Sequence, residues 1–307
     1  MFFNRKKRQS DIIPFSNIMQ QENNTETSIK EDEYLLDCSL KRLNNLVGMK
    51  KIKEDINGIV QFQKLNILRE EKGLAPVQIS NHLVFKGNPG TGKTTVARII
   101  ADIYKALNIV SRGQLIETDR SGLVGRYQGE TEAKTKEVIE SAYGGVLFID
   151  EAYTLAHGDS DYGQRAIEII LKEMEDHRDD LIVIAAGYRE EMDTFLASNP
   201  GLASRFGTVL DFEDYTPNDL FFVMEKYTHQ LGYLLDPYCY DVAVDFFVEK
   251  AKQPNFANAR LARSLVETAM KTQASRLANS GKIIKETDFE TICTITKDDL
   301  HKAICLL

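Results

Sequence analysis

The chain has 307 residues, 43% of them apolar, which is enough to bury a sizeable core and excludes wholesale disorder. Its 38 Lys and Arg stand against 46 Asp and Glu, for a net charge of -8, a balance that argues against a general nucleic-acid binder. Cys38, Cys239, Cys293 and Cys305 show neither metal-ligand nor redox spacing, the pattern of free thiols in a reducing, cytoplasmic setting.

In chain order, Met1 to Arg8 ends in a basic run with no apolar stretch after it, so it does not read as a secretory signal. No apolar run approaches the roughly 18 residues that span a bilayer. Residues 1–35 are polar and predict a disordered extension, with a short helix near Ile12 to Met19. From Leu46 to Arg69, Ile52, Ile56, Ile59, Val60, Leu65 and Leu68 recur at helical spacing. Strands are predicted at His82–Phe85, Leu115–Thr118, Val146–Ile149, Leu181–Ala185 and Thr208–Phe212. Helices between them fall at Thr94–Leu107, Thr131–Ala142 and Arg165–His177. Such alternation implies an α/β fold with a parallel sheet flanked by helices. After Pro217 the pattern turns entirely helical, at Asp219–Leu231, Tyr238–Ala251, Ala257–Ala278 and Lys297–Leu306. The partition is an extension over 1–35, a large α/β domain over 36–213 and a small all-helical lid over 214–307.

Gly87-Asn88-Pro89-Gly90-Thr91-Gly92-Lys93-Thr94 fits G-x-x-x-x-G-K-[ST], between a predicted strand and a predicted helix that continues through Thr95. Glycines let backbone N–H groups curl around phosphate oxygens, and the helix N-terminus adds partial positive charge. Lys93 would reach the β- and γ-phosphates, and the Thr94 hydroxyl would ligate magnesium. Asp150 and Glu151 follow the apolar run Val146–Ile149, at the sheet edge where ligands bind. Asp150 would hold magnesium, partly through water, and Glu151 would orient the attacking water. An acidic helix N-terminus is the plain alternative for this pair, but beside the glycine loop it points to ATP hydrolysis. A small-metabolite kinase has no use for an activated water.

GNPGTGKTTVAR (Gly87–Arg98) and VLFIDEAYTL (Val146–Leu155) resemble the AAA+ ATPases. The likeness is nearer to the branch of CbbX and stage V sporulation protein K, which includes the ATPase domain of type VII secretion EccA proteins. LVGRYQGETEAKTKEVI (Leu123–Ile139), AGYREEM (Ala186–Met192), NPGLASRF (Asn199–Phe206) and NFANARLAR (Asn255–Arg263) support it. The resemblance covers roughly Leu43 to Leu306.

It implies an AAA+ phosphate-loop fold that binds ATP and Mg2+ and assembles into a homo-oligomeric ring, a hexamer in this family. Arg205 matches the arginine finger that reaches a neighbour's γ-phosphate, and a planar guanidinium suits that charge. Arg260 matches the lid arginine that contacts ATP in cis, and Arg263 could share its face. Val47 and Gly48 match the segment bordering adenine. Tyr188 stands where many relatives carry an Asn that senses the γ-phosphate. Arg126, Tyr127, Gln128 and Gly129 resemble the pore loop that grips a protein substrate through an exposed aromatic ring. The alternative for Tyr127 is a ring folded under its own loop. His157–Gly163 would be a second pore-facing loop or a plain surface loop. The function implied is a ring motor that remodels a protein substrate of unknown identity. An ATP-gated scaffold without threading is the alternative, and a nucleic-acid motor is disfavoured because the loop after the second strand carries no basic cluster.

Overall fold

The computed structural model describes residues 15–77, 79–127, 129–156, 162–253, 256–283 and 287–307, with side chains from residue 30 onward. The basic run at Met1–Arg8, Gln128, Asn255 and positions 157–161 of the loop His157–Gly163 lie outside them.

Five parallel strands form the centre: β1 (Leu83–Gly87), β2 (Leu115–Thr118), β3 (Gly145–Ile149), β4 (Leu181–Gly187) and β5 (Thr208–Phe212), in the order β2-β3-β4-β1-β5. The register pairs Phe85 with Ala186 and Leu210, and Ile149 with Thr118 and Ala185. Side chains alternate across the sheet, as a pleated strand requires. Phe85, Phe148, Ile184 and Phe212 point into one apolar layer, and Val84, Leu147, Ile149 and Val183 into the other. Both faces are therefore covered, which explains the unbroken apolar run of β3.

On the first face lie α1 (Phe15–Asn44), α2 (Lys50–Glu71) and α3 (Lys93–Ala106). The opposite face carries α5 (Glu130–Ala142), α6 (Tyr162–Asp176) and α7 (Arg189–Ser198). Short helices α4 (Arg120–Leu123) and α8 (Pro200–Arg205) and a 3-10 turn at Ala152–Ala156 complete this part. Helix α1 departs from the sequence expectation of a short helix near Ile12 to Met19 in a disordered extension, because it runs from Phe15 to Asn44. Its C-terminal half buries Leu36 and Leu43 in the layer of α3, and Arg42 pairs with Asp102. The first helix after it begins at Lys50 and not at Leu46, since Gly48 and Met49 both adopt left-handed backbone and form a turn.

The lid holds α9 (Pro217–Gln230), α10 (Cys239–Lys250), α11 (Ala259–Asn279), α12 (Phe289–Cys293) and α13 (Lys297–Ile304) around Leu220, Phe247, Leu265 and Leu300. It is helical as expected, with the addition of a two-residue parallel pair, β6 (Leu234–Leu235) with β7 (Thr294–Ile295). Capping boxes at Thr216/Asp219 and Thr296/Asp299 start α9 and α13. Buried Asp299 also binds the guanidinium of Arg276 at 2.9 Å. Burial opposes ionisation of that carboxyl, but the bonds from Arg276 and Thr296 outweigh it and hold its pKa below the usual range.

Candidate functional site

Strand β1 lies inside the sheet between β4 and β5, and its C-terminal end delivers the chain into the glycine loop. There a cavity of about 420 Å³ opens between the sheet, α3 and the lid. Its walls include Gly87, Pro89, Gly90, Gly92, Lys93, Thr94 and Thr95 from the loop and α3. Asp150 and Glu151 line it from the end of β3, Tyr188 from the end of β4, and Arg260 and Arg263 from α11. The sheet register explains the convergence: Ile149 pairs with Ala185, so the residues after β3 and β4 emerge side by side.

The loop is built for close approach. Gly90 has φ 72°, and a Cβ there would stand 2.3 Å from the Ala257 carbonyl oxygen and 3.0 Å from the Arg260 nitrogen. The lid backbone therefore presses on the loop at a point where only glycine fits. Lys93 Nζ donates to the carbonyls of Gly87 and Asn88, at 2.7 and 2.9 Å. Burial lowers the Lys93 pKa, nearby Arg260 adds to that, and the Asp150 carboxylate opposes it.

Two loop residues are structural rather than lining. Thr91 is buried and donates its hydroxyl to the Asn88 carbonyl at 2.7 Å. Asn88 donates its amide to both carboxylate oxygens of Asp214 at 3.0 Å. At the base end, Val47 lines the cavity, but Gly48 does not. Gly48 instead lies beside the Asp219 carboxylate, 3.3 Å from where its Cβ would stand, and both line a neighbouring cavity of about 560 Å³.

Sequence reasoning missed Asn258, although it lies in a motif already singled out. Fully buried, it donates to Asp214 Oδ1 at 2.8 Å and to the Pro89 carbonyl at 3.3 Å, and accepts from the Tyr215 N–H at 2.9 Å. One side chain thus joins the phosphate loop, the connection to the lid and the start of α11. The lid helix α9 also lines the base end, through Val223, Lys226, Tyr227 and Gln230. Lys226 and Lys53 hold the carbonyls of Asn45 and Leu46, fixing the turn that carries Val47. Arg263 rests over the Tyr227 ring, 5.6 Å from its centroid.

Two predicted elements stand apart from this cavity. Arg205, at the end of α8, has its guanidinium 3.6 Å from the Glu175 carboxylate, and its carbonyl accepts from the Ser80 hydroxyl. Its side chain is about one-third exposed, and its Nε is buried without a hydrogen-bond partner among the described residues. Tyr127 is 75% exposed, so its ring points outward rather than folding under its loop. Glu130 accepts the N–H groups of Arg126 and Tyr127, at 2.7 and 3.1 Å, and Gly129 turns the chain into α5 with φ 86°.

The donor set suits a magnesium–nucleotide complex. Thr94 offers one hydroxyl and Asp150 one carboxylate, hard oxygen ligands that magnesium prefers. Among the described residues no group of three or more His, Cys, Asp or Glu could hold a metal alone. A metal here would take its remaining ligands from phosphate and water, as magnesium does when bound with nucleotide.

A parallel sheet with a glycine-rich loop after one strand, two acidic residues just after another and a helical lid defines the phosphate-loop nucleotide-binding class. The family model for AAA, "ATPase family associated with various cellular activities", matches residues 83–214, and the AAA lid domain model matches residues 216–305. The chain is 42% identical to the chloroplastic ribulose bisphosphate carboxylase/oxygenase activase of Cyanidioschyzon merolae, over 92% of this chain and 97% of that protein. It is 44% identical to a CfxQ homolog of Guillardia theta, over 84% and 88% respectively. Stage V sporulation protein K of Bacillus subtilis is 40% identical over 85% of this chain and 81% of its own. The crystal structure of the FIGL-1 AAA domain shares the fold, with a TM-score of 0.61 at 18% identity, covering 86% of this chain and 82% of that one. The chain belongs to the AAA+ ATPases, in the branch of the CfxQ/CbxX proteins and stage V sporulation protein K. Among the described residues, no helix is long and apolar enough to cross a membrane.

Proposed function

We propose that this protein is a magnesium-dependent ATPase that assembles into a ring and uses hydrolysis to remodel a protein substrate at a central pore. The observation that carries the reading is the convergence of Lys93, Thr94, Asp150, Glu151 and Arg260 on one cavity. The backbone of Gly87 to Thr94 would cradle the phosphates, with Lys93 and Arg260 matching their charge. Magnesium bound through Thr94 and Asp150 would neutralise the phosphate oxygens. Glu151 orients the water that attacks the γ-phosphorus as the bond to the bridging oxygen breaks.

Arg205 lies outside the lining of its own cavity, which suits an arginine that completes a neighbour's site. The exposed ring of Tyr127 suits a contact with an extended polypeptide. The relatives' names divide between an activase and a sporulation protein, so the proposal names no particular protein substrate.

The test is a paired measurement of ATP binding and ATP turnover. Lys93→Ala is expected to lose nucleotide affinity. Glu151→Gln is expected to bind ATP with near-native affinity while turnover falls by about 10²-fold or more, the scale of a lost general base. Full turnover in Glu151→Gln would overturn the mechanism. Tyr127→Ala separates motor from scaffold: a motor keeps basal hydrolysis and loses remodelling, whereas a scaffold is indifferent.

A further inference from the structure

Glu151 has φ 48°, a left-handed backbone that is costly for a residue carrying a Cβ. Such a conformation persists only where neighbours over-determine it. Its carbonyl accepts two bonds from one residue, the backbone N–H of Thr154 at 2.9 Å and the Thr154 hydroxyl at 2.7 Å. The Thr154 carbonyl in turn accepts from Arg120 Nη1.

Arg120 opens α4, directly after β2, and from there to Tyr127 the chain is strapped to α5. Lys134 Nζ donates to the Ser121 carbonyl at 2.6 Å, and the Thr135 hydroxyl to the Leu123 carbonyl at 2.9 Å. The Gly125 N–H donates to the Thr131 hydroxyl at 3.0 Å. Glu130 holds the N–H groups of Arg126 and Tyr127. One end of this hydrogen-bonded strap presents the exposed tyrosine, and the other rests on the residue that holds Glu151. A third cavity, of about 360 Å³, is lined by Arg120, Ser121 and Val124 of the strap together with Glu151 and Thr154.

We propose that Thr154 and Arg120 are positioning residues for Glu151, and that through them the strap carrying Tyr127 sets the catalytic carboxylate. The inference rests on the reading of Glu151 as the water-orienting residue. Force on the Tyr127 end moves Arg120, Arg120 moves the Thr154 carbonyl, and Thr154 shifts the backbone of Glu151. Small shifts suffice, because misplacing a catalytic group by ~1 Å costs about 10²-fold in rate.

The test uses the full chain and reads steady-state ATPase, affinity for a fluorescent ATP analogue, and melting temperature. In Arg120→Ala and Thr154→Val, kcat is expected to fall about tenfold or more with affinity within about twofold. Thr154→Ser, which keeps both bonds to Glu151, is expected to restore turnover. Unchanged kcat in both variants overturns the inference, and so does a fall in kcat accompanied by equal losses of affinity and melting temperature. Should Arg120→Ala fail to fold, the Thr154→Val and Thr154→Ser pair decides alone. Coupling to the strap is read by Glu130→Ala, expected to lower kcat in the native background and to add nothing to Arg120→Ala; additive effects overturn the coupling. Glu151→Gln runs alongside. If it turns over normally, the reading of Glu151 itself fails. If it is silent while Arg120→Ala and Thr154→Val are active, only the positioning inference fails.

Discussion

His82 is buried at the start of β1, and its Nδ1 accepts the Val183 N–H at 3.1 Å. The ring proton of the neutral form therefore sits on Nε2 and points to the Met174 carbonyl at 3.3 Å. Burial pushes the imidazole down to about 4 from 6.5; Arg205 pushes the same way, against the Met174 carbonyl and Glu175. Between those values the unfolded chain binds more protons than the folded one, so stability rises with pH. The contribution is complete above pH 6.5 and is lost as pH falls through about 4, on the order of 3 kcal/mol. Urea unfolding at pH 7, 5.5 and 4 is expected to show that slope, and His82→Gln is expected to flatten it. Residues of this kind carry no signature in the sequence, because a buried neutral histidine looks like any other histidine. Lys93, Thr94, Asp150 and Glu151 were legible because they stand in two sequence patterns of fixed spacing, and all four line the cavity. Asn258 and Thr154 were not, because they act on backbone carbonyls and N–H groups that every residue possesses.

Elements were legible where burial imposed a period. Strands β2 and β5 fall where alternation and apolar runs placed them, and α3, α5 and α6 differ from expectation by a few residues at their ends. Helix α1 is hard to read in the sequence because its apolar residues gather in one half. Leu35, Leu36, Leu40 and Leu43 meet the layer around α3, while Gln20 to Glu33 shows no periodic apolar signal. A helix satisfies its own backbone bonds, so a polar stretch can continue one that packing has started. The packed half is then the part that matters for stability. Leu43→Ala, at a fully buried position, is expected to cost about 3 kcal/mol by denaturant titration. A loss below about 1 kcal/mol would mean that α1 does not belong to the core.

The arrangement of Arg205 matters only beyond a single chain. If its guanidinium serves the neighbouring site, Glu151→Gln and Arg205→Ala inactivate different halves of one interface. Each variant alone is expected to be inactive. Mixed one to one, they form some interfaces in which an Arg205→Ala subunit keeps Glu151 and receives Arg205 from its neighbour. Random assembly makes about one site in four of this kind, so roughly a quarter of native turnover is expected to return. No recovery on mixing would place Arg205 in its own site or outside catalysis. None of this was readable from composition, since a heterologous interface is a relation between two copies.

The stitch made by Asn258 has a consequence for how occupancy is communicated. Pro89, Asp214 and Tyr215 share that one amide, and the Ala259 N–H bonds the Gly90 carbonyl. The phosphate loop and the first turn of α11 are thus a single piece of backbone in mechanical terms, without a slack joint between them. A change in the shape of the loop would therefore be passed to the lid helix through these bonds.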